Sequence, residues 1–230
     1  MKIFADGADP SEMLALYRNP LISGFTTNPT LMRKAGIRDY EAFARKILAG
    51  IPDRPISFEV FSDEFCEMEE QALKIASWGT NVYVKIPVTN TLGRSSTSLI
   101  CRLAQGGVKL NVTAVMTLEQ IEEVSQAMKM CPSGYVSFFA GRVADTGRDP
   151  VPIARSAVEL LDQYGNLELI WASPRELLNV FQADAIGCHV ITATKDILNR
   201  LDLVGKDLNE YSLETVKMFR EDAVQAGFSI

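Results

Sequence analysis

The chain has a single histidine, His189, among its 230 residues. A zinc site takes four ligands, mostly histidine and cysteine, and His189 has only Cys188 beside it. A Ser-His-Asp triad would also have to use His189, and no neighbouring motif supports one. We therefore expect no metal site, and we interpret His189 as a packed or hydrogen-bonding residue in or beside a strand.

The sequence also lacks closely spaced cysteines and long apolar runs. Its four cysteines form no CxxC pair, which is typical of reduced, packed thiols. No apolar run approaches the ~20 residues of a membrane-spanning helix. The first acidic residue, Asp6, comes too early for a signal peptide. These features predict a cytoplasmic protein without a membrane partner.

Basic clusters and nucleotide-binding motifs are absent as well. The net charge is −6, and no Lys/Arg run occurs, which argues against nucleic acid or a membrane surface as partner. There is no GxGxxG after the first strand and no P-loop, so a doubly wound nucleotide-binding sheet is the weaker alternative for the fold. The motif "DTG" at residues 145–147 stands alone and is interpreted as a polar turn.

What the chain does have is a regular alternation of strands and helices. Eight short apolar segments recur: "KIFAD", "GFTTN", "PISFEVF", "VYVKIPV", "KLNVTAV", "YVSFFAG", "LELIWAS" and "HVITAT". Helical patterns separate them, and such alternation indicates a parallel sheet. Eight units in this length predict a single (β/α)8 (TIM) barrel domain over residues 1–230, with an extra C-terminal helix at 212–226.

Strand parity predicts where a site lies. In seven strands the residues of one parity are mainly apolar, while the other parity carries polar groups. In strand 7 we expect Ile170 and Ala172 to face outward and Trp171 and Ser173 to face the axis. Seven strands would then direct polar side chains to one place, which favours a functional site over isolated buried polar residues. The inward polar residues are Asp6, Thr26, Asn28, Ser57, Glu59, Lys85, Asn111, Thr113, Ser137 and Ser173.

Lys85 is the most informative of these residues. A buried lysine loses its proton more readily than one in water, and a neutral amine forms a Schiff base with a ketone or aldehyde. Asp6 and Glu59, on nearby strands, could then serve as acid and base. The alternative is a barrel-core ion pair between Lys85 and one of these carboxylates.

Two arginines follow strands 6 and 7. Arg142 and Arg175 would both lie at the carboxyl ends of the strands, beside Ser173. Guanidinium groups bind phosphate through two parallel hydrogen bonds, so the set could hold a phosphate group. Taken singly, each arginine is more often a solvated loop residue.

The motifs "FADGAD", "GFTTNPTL", "VYVKIPVT", "NVTAV" and "FFAGR" together resemble the transaldolases, and in particular the small subfamily related to fructose-6-phosphate aldolase. The resemblance covers essentially the whole chain and is firmest up to about residue 145. It implies a cofactor-independent class I aldolase mechanism on sugar phosphates. It also implies a homo-oligomer, a pentamer or decamer, whose C-terminal helix reaches an adjacent subunit.

The resemblance further implies roles for single residues. Lys85 matches the Schiff-base lysine, Asp6 the residue that assists carbon–carbon cleavage, and Glu59 with Thr113 the pair that orders the catalytic water. The predicted substrate-binding residues are Thr26, Asn28, Asn111, Ser137 and Phe139 for the sugar unit and Arg142, Ser173 and Arg175 for the phosphate.

The sequence leaves three functions open. Glu59 and Phe139 are of the transaldolase type, where the aldolase branch has glutamine and tyrosine, so we expect transfer of a dihydroxyacetone unit to an aldose phosphate. The first alternative is an aldolase that releases free dihydroxyacetone. Departures such as Pro174 in "WASPRE" leave the substrate of the first function open, including a modified sugar phosphate. A non-catalytic sugar-phosphate-binding protein is the last alternative.

Overall fold

The computed structural model describes residues 1–228, and its strands close into a barrel. Each strand pairs in parallel with the next, and the last pairs with the first. The predicted (β/α)8 barrel is confirmed. The strands are β1 (Lys2–Asp6), β2 (Ile22–Thr26), β3 (Ile56–Glu59), β4 (Val82–Pro87), β5 (Leu110–Val115), β6 (Gly134–Phe138), β7 (Leu167–Trp171) and β8 (Val190–Thr194).

Helices follow every strand and turn an apolar face to the sheet. Side-chain caps fix several of their starts, since Asp9, Asn28, Asp39 and Thr117 each accept a hydrogen bond from a backbone N–H of the first turn. No described helix is long and apolar enough to span a bilayer. The helices of the barrel are α1 (Pro10–Tyr17), α2 (Pro29–Lys34), α3 (Tyr40–Gly50), α4 (Phe65–Ala76), α5 (Thr97–Gln105), α6 (Leu118–Ala127), α7 (Ala140–Ala144), α8 (Val151–Leu161), α9 (Leu178–Ala185) and α10 (Lys195–Leu198).

The barrel interior has an apolar layer toward the amino ends of the strands. Phe4, Tyr83 and Tyr135 precede Asp6, Lys85 and Ser137 by two residues, so each pair shares a face of its strand. Phe4 packs edge-on against Tyr135 with ring centroids 5.5 Å apart. This layer fills one end of the barrel, so the polar residues of the same parity lie toward the other end. It consists of Phe4, Tyr83, Tyr135, Ile170 and Val190, and Ala172 extends it to the carboxyl end of β7.

The predicted orientation of strand 7 is wrong. Ile170 pairs with Ser137 of β6, and residues paired in a parallel ladder face the same side. Ile170 and Ala172 therefore face the axis, in the apolar layer, and Trp171 faces the helices. The parity rule failed because strands of a parallel barrel are buried on both faces, and "LELIWAS" is apolar at both parities.

Contacts divide the chain into two compact units, Met1–Leu198 and a second that starts at Asn199. The second unit contains a 3₁₀ helix (Asn199–Leu203) and α11 (Leu208–Gln225). The helix starts at Leu208 rather than at the expected residue 212, because Asp207 accepts hydrogen bonds from the N–H groups of Asn209 and Glu210. The single-domain organisation stays a prediction.

Candidate active site

A cavity of about 420 Å³ opens at the carboxyl ends of the barrel strands. Ligand sites of (β/α)8 barrels lie at this face, where the βα loops meet. Most of the predicted site residues line it: Asp6, Thr26, Asn28, Glu59, Lys85, Thr113, Ser137, Phe139, Arg142, Ser173 and Arg175. We call Asp6, Glu59, Lys85 and Thr113 the floor of this cavity, and Arg142, Ser173 and Arg175 its rim.

Lys85 on β4 is buried, with 5% of its surface exposed. Its Nζ lies 3.2 Å from Glu59 Oε2 and donates a hydrogen bond of 3.0 Å to the carbonyl oxygen of Thr27. Glu59 and Lys85 are register partners on adjacent strands, which brings the two side chains together. The ion pair foreseen as the structural alternative is therefore present. However, both partners line the cavity, so the amine can meet a ligand.

Asp6, at the end of β1, is the second carboxylate of the floor. Thr26 donates a hydrogen bond of 2.7 Å to Asp6 Oδ1, and Asn28 Nδ2 lies 3.5 Å from Oδ2. Burial raises the pKa of the Asp6 carboxyl, and the Glu59 charge adds to the rise. Burial is the largest of these effects, and together with the Glu59 charge it outweighs the opposing effect of the Lys85 ammonium and of these two hydrogen bonds on the pKa. A carboxylate with a raised pKa is a better proton acceptor.

Thr113 completes the floor with an uncommitted hydroxyl. Its Oγ1 is buried and has no hydrogen-bond partner within residues 1–228. Buried polar atoms are nearly always paired, so this group is suited to a water molecule or a ligand hydroxyl. The next residue, Ala114, has φ of 62° where the β5–β6 register shifts.

Ala114 and Ser173 are the two non-glycine residues in the described part of the chain with positive φ, and both line the cavity. Positive φ costs an L-residue energy and tends to occur at functional sites. The coincidence supports the assignment of this cavity as the site.

Asn111 is the predicted site residue that does not line the cavity. It faces the interior beside Lys85, its register partner on β4, and is fully buried. Its Nδ2 donates to Ser57 Oγ at 2.9 Å, and its Oδ1 accepts from Ser137 Oγ at 2.7 Å. Asn111 therefore orients Ser137, which does line the cavity.

Both predicted arginines lie at the mouth of the cavity, and their side chains differ in their contacts. Arg142 on α7 makes no ion pair or hydrogen bond through its side chain within residues 1–228, whereas Arg175 pairs with Asp145 through two guanidinium nitrogens. The "DTG" motif thus supplies the counter-ion of a rim arginine. The absence of a side chain at Gly141 lets α7 approach the loop after β7 closely, because a Cβ there would lie 1.7 Å from the carbonyl oxygen of Ser173.

Two residues of β8 in the cavity wall were missed from the sequence, Thr192 and Thr194. They alternate with apolar residues in "HVITAT", so the same parity rule could have found them. His189 precedes this strand and accepts a hydrogen bond of 3.1 Å from the Leu169 N–H. Residues 1–228 hold no group of three or more His, Cys, Asp and Glu side chains arranged for a metal ion.

A family model described as transaldolase/fructose-6-phosphate aldolase matches residues 3–230. The chain belongs to this family. It is therefore an aldolase-type enzyme, and the earlier resemblance is confirmed.

Relatives in the family are named probable transaldolases. One from Streptococcus equi subsp. zooepidemicus is 35% identical over 227 residues, covering 96% of this chain and 97% of the relative. One from Streptococcus agalactiae serotype V is 36% identical over 195 residues, covering 84% and 85%. One from Dehalococcoides mccartyi is 33% identical over 204 residues, covering 87% and 90%.

A solved structure shares the fold. It is an HpcH/HpaI aldolase/citrate lyase family protein from Burkholderia cenocepacia J2315, with a TM-score of 0.61 and 11% identity. The match covers 94% of each chain. At this identity the likeness concerns the barrel alone.

Proposed function

We propose that this enzyme is a transaldolase, which transfers a dihydroxyacetone unit from a ketose phosphate to an aldose phosphate through a Schiff base on Lys85. The observation that carries the proposal is the position of the Lys85 amine. It is buried at the cavity wall, 3.2 Å from one carboxylate, Glu59, and in the same cavity as a second, Asp6.

The first stage joins the ketose to the enzyme. Glu59 takes a proton from the Lys85 ammonium, the neutral amine attacks the ketone carbon C2, and a proton moves from the nitrogen to the C2 oxygen to give a carbinolamine. Loss of that oxygen as water gives a protonated imine. Glu59 lies close enough to Nζ to deliver and receive these protons, either directly or through a water held by the free Thr113 hydroxyl.

The second stage breaks and remakes a carbon–carbon bond. Asp6 takes the proton from the C4 hydroxyl, the C3–C4 electron pair moves into the iminium, and the C4 fragment leaves as an aldehyde. The enamine left on Lys85 attacks the carbonyl carbon of an acceptor aldehyde, and Asp6 returns its proton to the new alkoxide. Water then hydrolyses the imine and frees the lysine.

The rest of the cavity would hold the sugar. We assign the sugar hydroxyls to Ser137 and Asn28, since within residues 1–228 the one hydrogen bond of Asn28 Nδ2 is its long contact with Asp6. Phe139 also lines the cavity. Arg142, Ser173 and Arg175 would bind the phosphate, with Arg142 as the stronger partner because no carboxylate of the described residues shares its charge.

Release of free dihydroxyacetone is the second candidate, because the family description covers both activities. Phe139 favours transfer, since it has no hydroxyl that could protonate the enamine. A modified sugar phosphate as donor is a further variant of the same chemistry.

The experiment is borohydride reduction in the presence of fructose 6-phosphate, followed by intact mass measurement. We expect a reduced dihydroxyacetone adduct on the wild type and on Lys109→Met, a control whose amine contacts the Thr80 carbonyl outside the cavity. We expect none on Lys85→Met. An adduct of the uncleaved hexose would contradict the role of Asp6. No adduct with any of a panel of ketoses, on folded protein, would favour the non-catalytic binding protein.

Product analysis separates transfer from release. With fructose 6-phosphate and erythrose 4-phosphate together, a transaldolase forms a seven-carbon ketose phosphate. Without an acceptor it forms little free dihydroxyacetone after the first turnover. Steady release of dihydroxyacetone, unchanged by the acceptor, would overturn the transaldolase in favour of the lyase.

We also propose that the enzyme is a homo-oligomer, a pentamer or decamer. This proposal rests on the family and on α11, which has no buried residue and exposes Leu213, Val216 and Phe219. Light scattering of the full chain should give five or ten times the protomer mass, and a monomer would contradict it.

A further inference from the structure

Strand β8 contributes a buried hydroxyl, that of Thr192, to the cavity wall. Thr192 is 5% exposed, and its Oγ1 lies 2.5 Å from Thr26 Oγ1. Thr26 Oγ1 in turn donates to Asp6 Oδ1 at 2.7 Å. The three side chains come from β8, β2 and β1, which are neighbours in the barrel. They form one continuous chain of hydrogen bonds that ends on the carboxylate of the floor.

The directions in this chain follow from counting protons. An ionised carboxylate can only accept, so the single Thr26 proton goes to Asp6. The Thr26 oxygen can then only accept in its contact with Thr192, so Thr192 donates to it. Both hydroxyl dipoles point toward Asp6, and each bond polarises the next.

The same chain can reverse. When Asp6 holds a proton on Oδ1, it donates to Thr26, Thr26 donates to Thr192, and the Thr192 proton turns toward the cavity that this residue lines. Both protonation states of Asp6 therefore keep all their hydrogen bonds by rotation of two hydroxyls. A residue that must take up a proton on cleavage and return it on addition needs both states.

We infer that Thr192 is a positioning residue for the reaction: the Thr192–Thr26 hydroxyl pair orients Asp6 in both of its protonation states and stabilises the ionised state more, because hydrogen bonds to a charged acceptor are the stronger ones. We therefore assign the Thr26 hydroxyl to Asp6 rather than to the sugar, because it donates its single proton to Asp6. The role of Asp6 in this inference rests on the proposed function, whereas the hydrogen-bond chain does not.

Other groups also act on Asp6, and a pH test has to keep them constant. The charged side chains that face it are Lys85 on β4 and Glu59 on β3, and Asn28 lies 3.5 Å from its second oxygen. Within residues 1–228, neither Lys85 nor Glu59 forms a hydrogen bond with Thr192. Substitution of Thr192 therefore changes the hydroxyl chain and leaves the charges in place.

The first test needs no substrate. Protein labelled with ¹³C at the aspartate carboxyl carbons is titrated by NMR, and the Asp6 resonance is assigned by its absence in Asp6→Asn. Thr192→Val keeps the β-branched shape and removes the hydroxyl, so the Asp6 titration should move to higher pH. Thr192→Ser restores the hydroxyl and should return it toward the wild type. An unchanged midpoint in Thr192→Val, or no recovery in Thr192→Ser, overturns the inference.

The second test uses turnover of fructose 6-phosphate. Thr192→Val should lower kcat about tenfold, the effect of roughly one hydrogen bond, with little change in KM. The acid limb of its pH profile should move to higher pH, and Thr192→Ser should recover both. If Thr192→Val does not fold, Thr192→Cys carries the same expectations, because a thiol is a weak donor.

The two proposals can fail separately. Without any adduct on the wild type the proposed function fails, and the NMR titration still decides the hydroxyl chain. With normal wild-type turnover and an unaltered Thr192→Val enzyme, only the role of Thr192 fails.

Discussion

The floor and the rim of the cavity are built in different ways. Lys85 in the floor is held on buried strands by Glu59 and by a backbone carbonyl. The rim stands on a short helix and a loop, and its arginines are exposed to solvent. The close approach of Gly141 to Ser173 and the positive φ of Ser173 shape it. The difference is consistent with the proposal that the floor carries out the chemistry and that the rim selects the substrate.

Replacement of Lys85 by Met should have the largest effect. Without the amine no Schiff base can form, so turnover of fructose 6-phosphate should fall at least about 1,000-fold. Coupled detection of the released aldehyde phosphate measures this rate. The Lys109→Met control should keep wild-type turnover. A Lys85→Met enzyme within tenfold of the wild type would mean that the floor is not the reacting end.

The rim arginines should differ from each other. Arg142→Ala should raise KM for fructose 6-phosphate about 10- to 100-fold, as expected for the loss of hydrogen bonds to a charged group. Arg175→Ala should raise it less, because Asp145 already shares its charge. KM for unphosphorylated fructose should not change in either variant.

Arg155→Ala, an exposed arginine on α8, is the control for this comparison. A larger KM effect at Arg175 than at Arg142 would contradict the distinction between the free and the paired guanidinium.

Gly141→Ala tests the close approach at the rim. The added methyl would lie 1.7 Å from the Ser173 carbonyl oxygen, so the β7 loop must move. Overpacking of this kind costs about 1–3 kcal/mol, or about 2–4 °C of Tm per kcal/mol at this chain length. We expect a lower Tm and a higher KM for fructose 6-phosphate, measured by calorimetry and initial rates.

Gly165→Ala is matched to it, because a Cβ there meets nothing within 4 Å. If both variants behave alike, the contact between Gly141 and Ser173 has no influence on the rim.

The smallest of these expected effects is that of Asp6→Asn on the stability of the fold. Burial raises the pKa of Asp6 in the folded protein, so the folded state binds its proton more tightly than the unfolded state does. The wild type therefore loses stability as pH rises from the unfolded pKa through the folded one. Asparagine has no charge to bury, so Asp6→Asn should have the higher Tm above this window.

The Tm difference between the two proteins should shrink as the pH falls through that window, and a series of thermal melts measures it. A Tm of Asp6→Asn below that of the wild type at high pH would show that the ionised carboxylate is stabilising in the folded protein.

The barrel and all four floor residues were predictable from the sequence, because parity alone places residues on one face of a strand. Parity failed at Trp171, where both faces of β7 are apolar. It would have found Thr192 had it been applied to β8. The start of α11 at Leu208 could also have been predicted, since Asp207 and Glu210 have capping-box spacing. The pairing of Arg175 with Asp145 and the positive φ of Ala114 arise from tertiary contacts, which no local pattern contains.

Peptide mapping tests most directly whether Lys85 forms the covalent intermediate. Wild-type enzyme is reduced with borohydride in the presence of fructose 6-phosphate, digested, and sequenced by tandem mass spectrometry. We expect a reduced three-carbon adduct on Lys85 and on no other lysine. An adduct confined to another lysine, with Lys85 recovered unmodified, would contradict it.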